Sequence, residues 1–182
     1  PAFVKVGQIL STRRDLIPPA LAAELATLQD HVATLPWEQM ELTLVEELGA
    51  LPGELYAEFD PECIASASIG QVYRARLHDG RAVVVKIQRP GAAEIMEADF
   101  DILLAQTHFA AHHSEWARAQ NMAAIAEAIV HVLRAELDYL LEAHNMATFR
   151  DAFEGNPDVF FPAPIWDLTT TRVLTMELVE GV

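Results

Sequence analysis

The sequence predicts an α+β fold in which a small antiparallel sheet packs on helices. Three observations carry this expectation. Residues 1 to about 60 and about 92 to 152 repeat apolar side chains at helical spacing. Short strand-length segments follow each helical stretch, bounded by Asp-Gly, Pro-Gly or Thr-rich turns. The resulting order is helices, hairpin, helices, hairpin. At 182 residues and 52% hydrophobic, the chain suits one domain, or one compact lobe with an extension.

Each element has its own signal. Phe3, Val6, Ile9 and Leu10 share one helix face. Pro18 and Pro19 break that helix and open the next, where Leu21, Leu25 and Leu28 recur. Leu42, Val45 and Leu48 mark a third helix, and Gly49 is placed to end it. The pattern changes near Ile64. Val72, Arg74 and Arg76 then alternate with Tyr73, Ala75 and Leu77, as in a strand. Asp79-Gly80 is a tight-turn pair, Val83-Val84-Val85 is the partner strand, and Pro90-Gly91 stops it. Ile95, Ile102, Leu103 and Phe109 form one helical stripe. Met122, Ile125, Ile129, Val132, Leu133, Leu137 and Leu140 form a second. Pro157, Pro162 and Pro164 mark a loop. Ile165 to Leu168 and Arg172 to Met176 are expected as two further strands around the turn Thr169-Thr170-Thr171.

The formal charge of −15 argues against a broad nucleic-acid footprint, which needs clustered Lys and Arg. It leaves nucleotide binding open, because a few local donors serve one triphosphate. No apolar run approaches the ~20 residues of a transmembrane helix, and no signal peptide opens the chain. A first residue of Pro1 rather than Met, and a last residue directly after a strand-like run, read as cuts within a longer protein. The lone Cys63 excludes an internal disulfide and reads as a small buried residue. His108 and His112 stand four apart, but no H-E-x-x-H frames them and no third ligand is evident, so no metal site is expected in this segment. Trp37, Trp116 and Trp166 read as core or interface residues.

Four clusters carry chemistry. Ala65-Ser66-Ala67-Ser68-Ile69-Gly70-Gln71-Val72 sits where a phosphate-covering loop belongs and keeps small residues where a backbone must approach oxygens. Lys86 follows the apolar run Val83-Val84-Val85, so its ammonium needs a carboxylate or phosphate partner. Glu136 and Asp138 precede Glu142 and Asn145; at i, i+4 and i+7, Asp138, Glu142 and Asn145 are expected on one helix face. Lys5 and Gln8 flank Gly7, which costs a helix ~1 kcal/mol against Ala and so suggests close packing.

Taken together, these clusters resemble the UbiB/AarF atypical kinase-like family. Lys5, Gly7 and Gln8 match its K-x-G-Q motif, residues 65–72 its Ala-rich loop, Lys86 its nucleotide lysine, and Glu136 and Asp138 its E-x-D motif. Glu142 is placed like the helix glutamate that pairs with the lysine, and Met176-Glu177-Leu178-Val179 like the segment that meets adenine. The resemblance implies a protein-kinase-like N-lobe, residues 61–182, carrying a helical insertion over about 92–135 and preceded by a helical extension, residues 1–60. It implies ATP or ADP as ligand, held by residues 65–70, Val72, Lys86 and Met176 to Leu178. Lys86 and Glu142 would position the nucleotide, and Lys5, Gln8, Glu136 and Asp138 would form a regulatory arm. It further implies an atypical kinase or ATPase that supports ubiquinone biosynthesis and is cytoplasmic and membrane-associated. A lipid, a quinone precursor or a membrane surface is then a partner. No H-R-D-like or D-F-G-like motif follows, so the second lobe, its Mg2+ ligands and its catalytic loop are expected outside this segment. The competing expectation is a lipid- or partner-binding helical module in which nucleotide acts only as a conformational switch.

Overall fold

The computed structural model describes residues 2–12, 19–26, 33–156 and 158–179. Pro18, Leu28 and Pro157 lie outside the described residues. In chain order the elements are helices α1 (Ala2–Thr12), α2 (Pro19–Ala26), α3 (Trp37–Leu48) and α4 (Pro52–Leu55). Strands β1 (Glu58–Phe59), β2 (Ala65–Ser66), β3 (Gly70–Arg76) and β4 (Ala82–Gln88) follow. Then come α5 (Ala92–His113), α6 (Glu115–Ala119), α7 (Met122–Ala135), α8 (Tyr139–Ala152) and strand β5 (Val173–Glu177). Two compact units result, Pro1–Asp30 with Gly91–Ala135, and His31–Pro90 with Glu136–Val182.

The first unit is helical. α1 packs on α2, and α5 packs on α7. The expected stripe of α5 is corrected here. Its buried residues are Ala92, Met96 and Phe100, while Ile95, Ile102 and Phe109 are 51%, 48% and 66% exposed. The four-residue step from Ala92 to Met96 to Phe100 is the one that faces protein, so residues one position away turn outward. α7 likewise buries Ala126, Val130 and Leu133 but exposes Val132. On α1, Val6 is buried and Phe3 is exposed. Charge fixes one more contact. Arg134 donates to both oxygens of Glu97 at 2.9 and 2.6 Å, which holds that carboxyl below its usual range. The α5 histidine His108 meets Glu127 at 3.2 Å.

The second unit is a five-stranded antiparallel sheet flanked by helices. The order is β1-β3-β4-β5, with β2 pairing further along β3. The Asp79-Gly80 turn is as expected, with Gly80 at φ +91°. Period-two alternation sends Val83, Val85 and Ile87 of β4 to one face, where they join Tyr73, Ala75 and Val173 beneath Met40 and Leu44 of α3. Trp37 and Phe59 close that core, their rings 4.7 Å apart. Gly49 ends α3 at φ +73°. The opposite face carries Val72, Lys86 and Leu174 side by side in register, with Val84 beside Met176. Tyr139 and Ala143 of α8 pack on it around Leu174.

The second expected hairpin is also corrected. Trp166–Leu168 is a single 3-10 turn, and the pairing with β5 is an isolated bridge at Pro164 and Met176, flanked by Ile165 N donating to Thr175 O at 2.8 Å and Glu177 N to Ala163 O at 3.0 Å. Threonine hydroxyls explain this. Thr169 Oγ1 donates to Ile165 O at 2.8 Å and Thr175 Oγ1 donates to Leu168 O at 2.8 Å, so carbonyls that a strand would pair are met by side chains. Trp166 is 44% exposed and Trp116 66% exposed, so neither is core.

Candidate functional site

Lys86 lies in β4 on the face that meets α8. Its Nζ donates to Oε1 and Oε2 of Glu142 at 3.0 and 2.7 Å. The side chains are 26% and 38% exposed, so solvent reaches the pair on the sheet face rather than its being sealed in the core. Its contribution to folding is then closer to the ~1 kcal/mol of a surface pair than to the ~3–5 kcal/mol lost when a buried one is broken. Lys86 Nζ also lies 4.5 Å from the centroid of the Tyr139 ring.

The start of α8 delivers both partners. Helix α7 stops at Ala135, so residues 136–138 are not helical. This corrects the expected single face for Asp138, Glu142 and Asn145. Asp138 is the N-cap of α8, and its carboxylate accepts from the amides of Leu140 and Leu141 at 3.0 and 3.3 Å. Two further bonds anchor the segment to the sheet. Gln88 Nε2 donates to Leu137 O at 3.0 Å, and Tyr139 N donates to Thr171 O at 3.0 Å. Glu142, one turn into the helix, is thereby aimed at Lys86, while Asn145 is exposed. Glu136 is partly buried beside the cap.

The Ala-rich segment is a hairpin rather than a free loop. Ala65 pairs with Val72 and Ser66 with Gln71, and Ala67 N donates to Gly70 O at 2.9 Å. Only Ala67, Ser68 and Ile69 form the tip, and Ser68 and Ile69 are buried. None of these residues has a positive φ. The alanines therefore fit the backbone as it stands, and Gly70 is not required by conformation. Gly70 is required by space. A Cβ there would meet the Tyr139 hydroxyl and would sit 2.9 Å from Ile87 O.

Arg89 holds the tip from beneath. Its Nε donates to Ala67 O at 2.9 Å, and its Nη2 donates to Ser66 Oγ at 2.7 Å and Ala33 O at 2.8 Å. Its own amide donates to Ile69 O at 2.9 Å. The residue is only 9% exposed. Neither Arg89 nor Tyr139 stands among the sequence candidates. The available signals were a charged residue at the end of an apolar strand before Pro90, and an aromatic residue directly after Asp138.

Met176 lies on the Lys86 face, half-buried against Tyr139, Ala143 and Leu174. Glu177 accepts from Ala163 N at 3.0 Å, and Leu178 N donates to Ala82 O at 3.1 Å, which ties the end of β5 to the start of β4. Lys5 and Gln8 are in α1 of the first unit, both partly buried. Among the described residues no group of three His, Cys, Asp or Glu could hold a metal ion.

The ABC1 atypical kinase-like domain matches residues 27–182. The chain is 41% identical over all its length to an uncharacterized protein of Synechocystis sp., and covers 31% of that protein. It is 40% identical over all its length to a protein of Pseudomonas paraeruginosa named probable protein kinase UbiB, and covers 34% of it. The chain thus spans about a third of the length of these relatives. Among solved structures, Rv3197 of Mycobacterium tuberculosis, in complex with erythromycin, matches with a TM-score of 0.72 and 33% identity over 97% of this chain and 44% of that one. The small antiparallel sheet, the strand lysine with its helix glutamate and the matched domain agree, and the chain belongs to the ABC1 atypical kinase-like family.

Proposed function

We propose that this chain is the nucleotide-binding lobe of a UbiB-type atypical kinase or ATPase, with ATP or ADP as its ligand and a role in ubiquinone biosynthesis. The observation that carries the proposal is the two-oxygen contact between Lys86 and Glu142. A lysine held in this way keeps a fixed position and still has a donor to offer a phosphate oxygen. Residues 65–70 and Val72 would cover the phosphates, and Met176 to Leu178 would meet the base. Bound nucleotide supplies the transferable phosphoryl group. This chain's residues hold and orient it. The regulatory arm of Lys5, Gln8, Glu136 and Asp138 is assigned on the family resemblance.

The test is Lys86→Met in the full-length protein, read with a fluorescent ATP or ADP analogue. Affinity is expected to fall at least about tenfold, or about 1.4 kcal/mol. The melting temperature should move little, because the ion pair is solvent-reached. Unchanged affinity for both nucleotides would remove the basis of the assignment.

A separate observation favours a second reading, a helical module that binds a lipid surface while nucleotide acts as a switch. Ile95, Ile102 and Phe109 recur every seven residues along α5 and all three are exposed, as is Trp116 in α6 beyond the break at Ser114. Large apolar side chains exposed along one helix face suit an interaction surface. No helix among the described residues is long and apolar enough to cross a membrane.

A further inference from the structure

Tyr139 is fully buried, yet its hydroxyl has no hydrogen-bond partner among the described residues. Burial, reinforced by the charges of Glu142 and Glu136, pushes its phenol well above the ordinary range, so it stays neutral. Two features of its placement stand out. The ring lies 4.5 Å from Lys86 Nζ, within the distance at which an ammonium is attracted to an aromatic face. The hydroxyl occupies the space that a side chain at position 70 would need, directly against the end of the Ala-rich hairpin. One rigid side chain therefore touches both the lysine and the loop. Its own position is fixed, because its amide bonds Thr171 O and it follows the Asp138 cap.

We propose that Tyr139 is a positioning residue of the nucleotide site. Its ring is a second hold on the Lys86 ammonium beside Glu142, and Gly70 leaves the room that its hydroxyl end fills. The inference rests on the nucleotide assignment of Lys86. It assigns the ring, not the hydroxyl's hydrogen-bonding capacity, as the working part, since that hydroxyl donates to nothing described. It also gives Gly70 a role distinct from phosphate approach, that of making room for Tyr139.

A double-mutant cycle in the full-length protein tests this, with ADP affinity and melting temperature read for each variant. Tyr139→Phe keeps the ring and should bind ADP within about twofold of wild type, with a melting temperature equal or higher. Tyr139→Leu keeps apolar bulk but loses the ring face, and should weaken ADP about threefold or more. In a Lys86→Met background the same Leu change should have less than about twofold effect, because its target is gone. An undiminished Leu effect in that background, or no Leu effect in wild type, overturns the inference while leaving the lysine assignment standing. If Lys86→Met itself leaves ADP binding intact, both fall. Should Tyr139→Leu fail to fold, the lysine ε-methylene resonances of wild type and Tyr139→Phe decide, with Lys86 identified by its loss in Lys86→Met. An upfield ring-current shift of Lys86 in both proteins is expected, and an unshifted signal overturns the contact.

Discussion

Arg89 shows how much a single buried charge can organise. Its guanidinium ends on Ala67 O, Ser66 Oγ and Ala33 O, so the hairpin tip is tied both to the strand below it and to the segment that precedes α3. Arg89→Met keeps the stem and removes the donors, leaving buried oxygens to be resolvated. The expected loss is about 2–3 kcal/mol of stability, since bonds to charged donors each contribute about that scale at most and part is recovered by relaxation. Amide exchange at Ser68, Ile69 and Gly70 should quicken more than exchange in β4. A variant that melts with wild type and keeps those amides protected would show that the tip holds itself. Sequence reasoning reached Lys86, Glu142 and the hairpin because each has a local pattern: an apolar run, a helix-face spacing, a cluster of small residues. It missed Arg89 and Tyr139 because their roles come from three-dimensional packing. An arginine before a proline at a strand end looks like ordinary surface until the register places it under residues 66–69.

Among elements, the strands β3 and β4 were legible to within a residue or two, since alternation, a D-G turn and a proline stop all agree there. The segment before β5 was not, because β-branched threonines favour a strand by composition and yet divert their hydroxyls to nearby carbonyls. Helix α5 is the sharper case. Two apolar sets lie on it, and periodicity alone cannot say which is buried. The smaller set, Ala92, Met96 and Phe100, faces protein, and the larger side chains are left outside. That outer stripe supports the lipid-surface reading and makes it testable. In a flotation assay with phosphatidylcholine vesicles, the full-length protein should co-float, and the double change Ile102→Glu with Phe109→Glu should reduce co-flotation at least about tenfold. Two carboxylates on that exposed stripe would have to enter the lipid interface, which opposes insertion by about 1–2 kcal/mol or more in total. Both positions are exposed, so folding should be unaffected. Equal flotation of the variant would assign membrane contact to another surface.

At the scale of the whole molecule, the chain's three tyrosines, Tyr56, Tyr73 and Tyr139, all lie in the sheet-containing unit, and all are fully buried. Burial raises Tyr56 to about 12, opposed in part by its hydrogen bond with Thr175. It raises Tyr73 to about 12 as well, opposed by the Gln71 bond. Tyr139 is raised further. The sign of the linkage follows from these directions. Below the unfolded value of 10.0 each phenol is protonated in both states, and the three add no pH dependence. Above it the unfolded chain releases protons that the folded unit retains, so stability falls as pH rises from 10 toward 12. The slope is about 1.4 kcal/mol per pH unit for each phenol, or about 4 kcal/mol per unit for three. Over two pH units this totals at most about 8 kcal/mol, comparable to the whole stability of a unit of this size, so this unit should unfold in that window. Phenolate absorbance near 295 nm reports only this unit, because the other contains no tyrosine. It should stay flat through pH 10 and then rise together with loss of far-ultraviolet circular dichroism, as one transition. Phenolate appearing gradually near pH 10 with the dichroism intact would mean that these rings are reached by solvent in the native protein. The sheet would then be looser around Lys86 than its packing indicates.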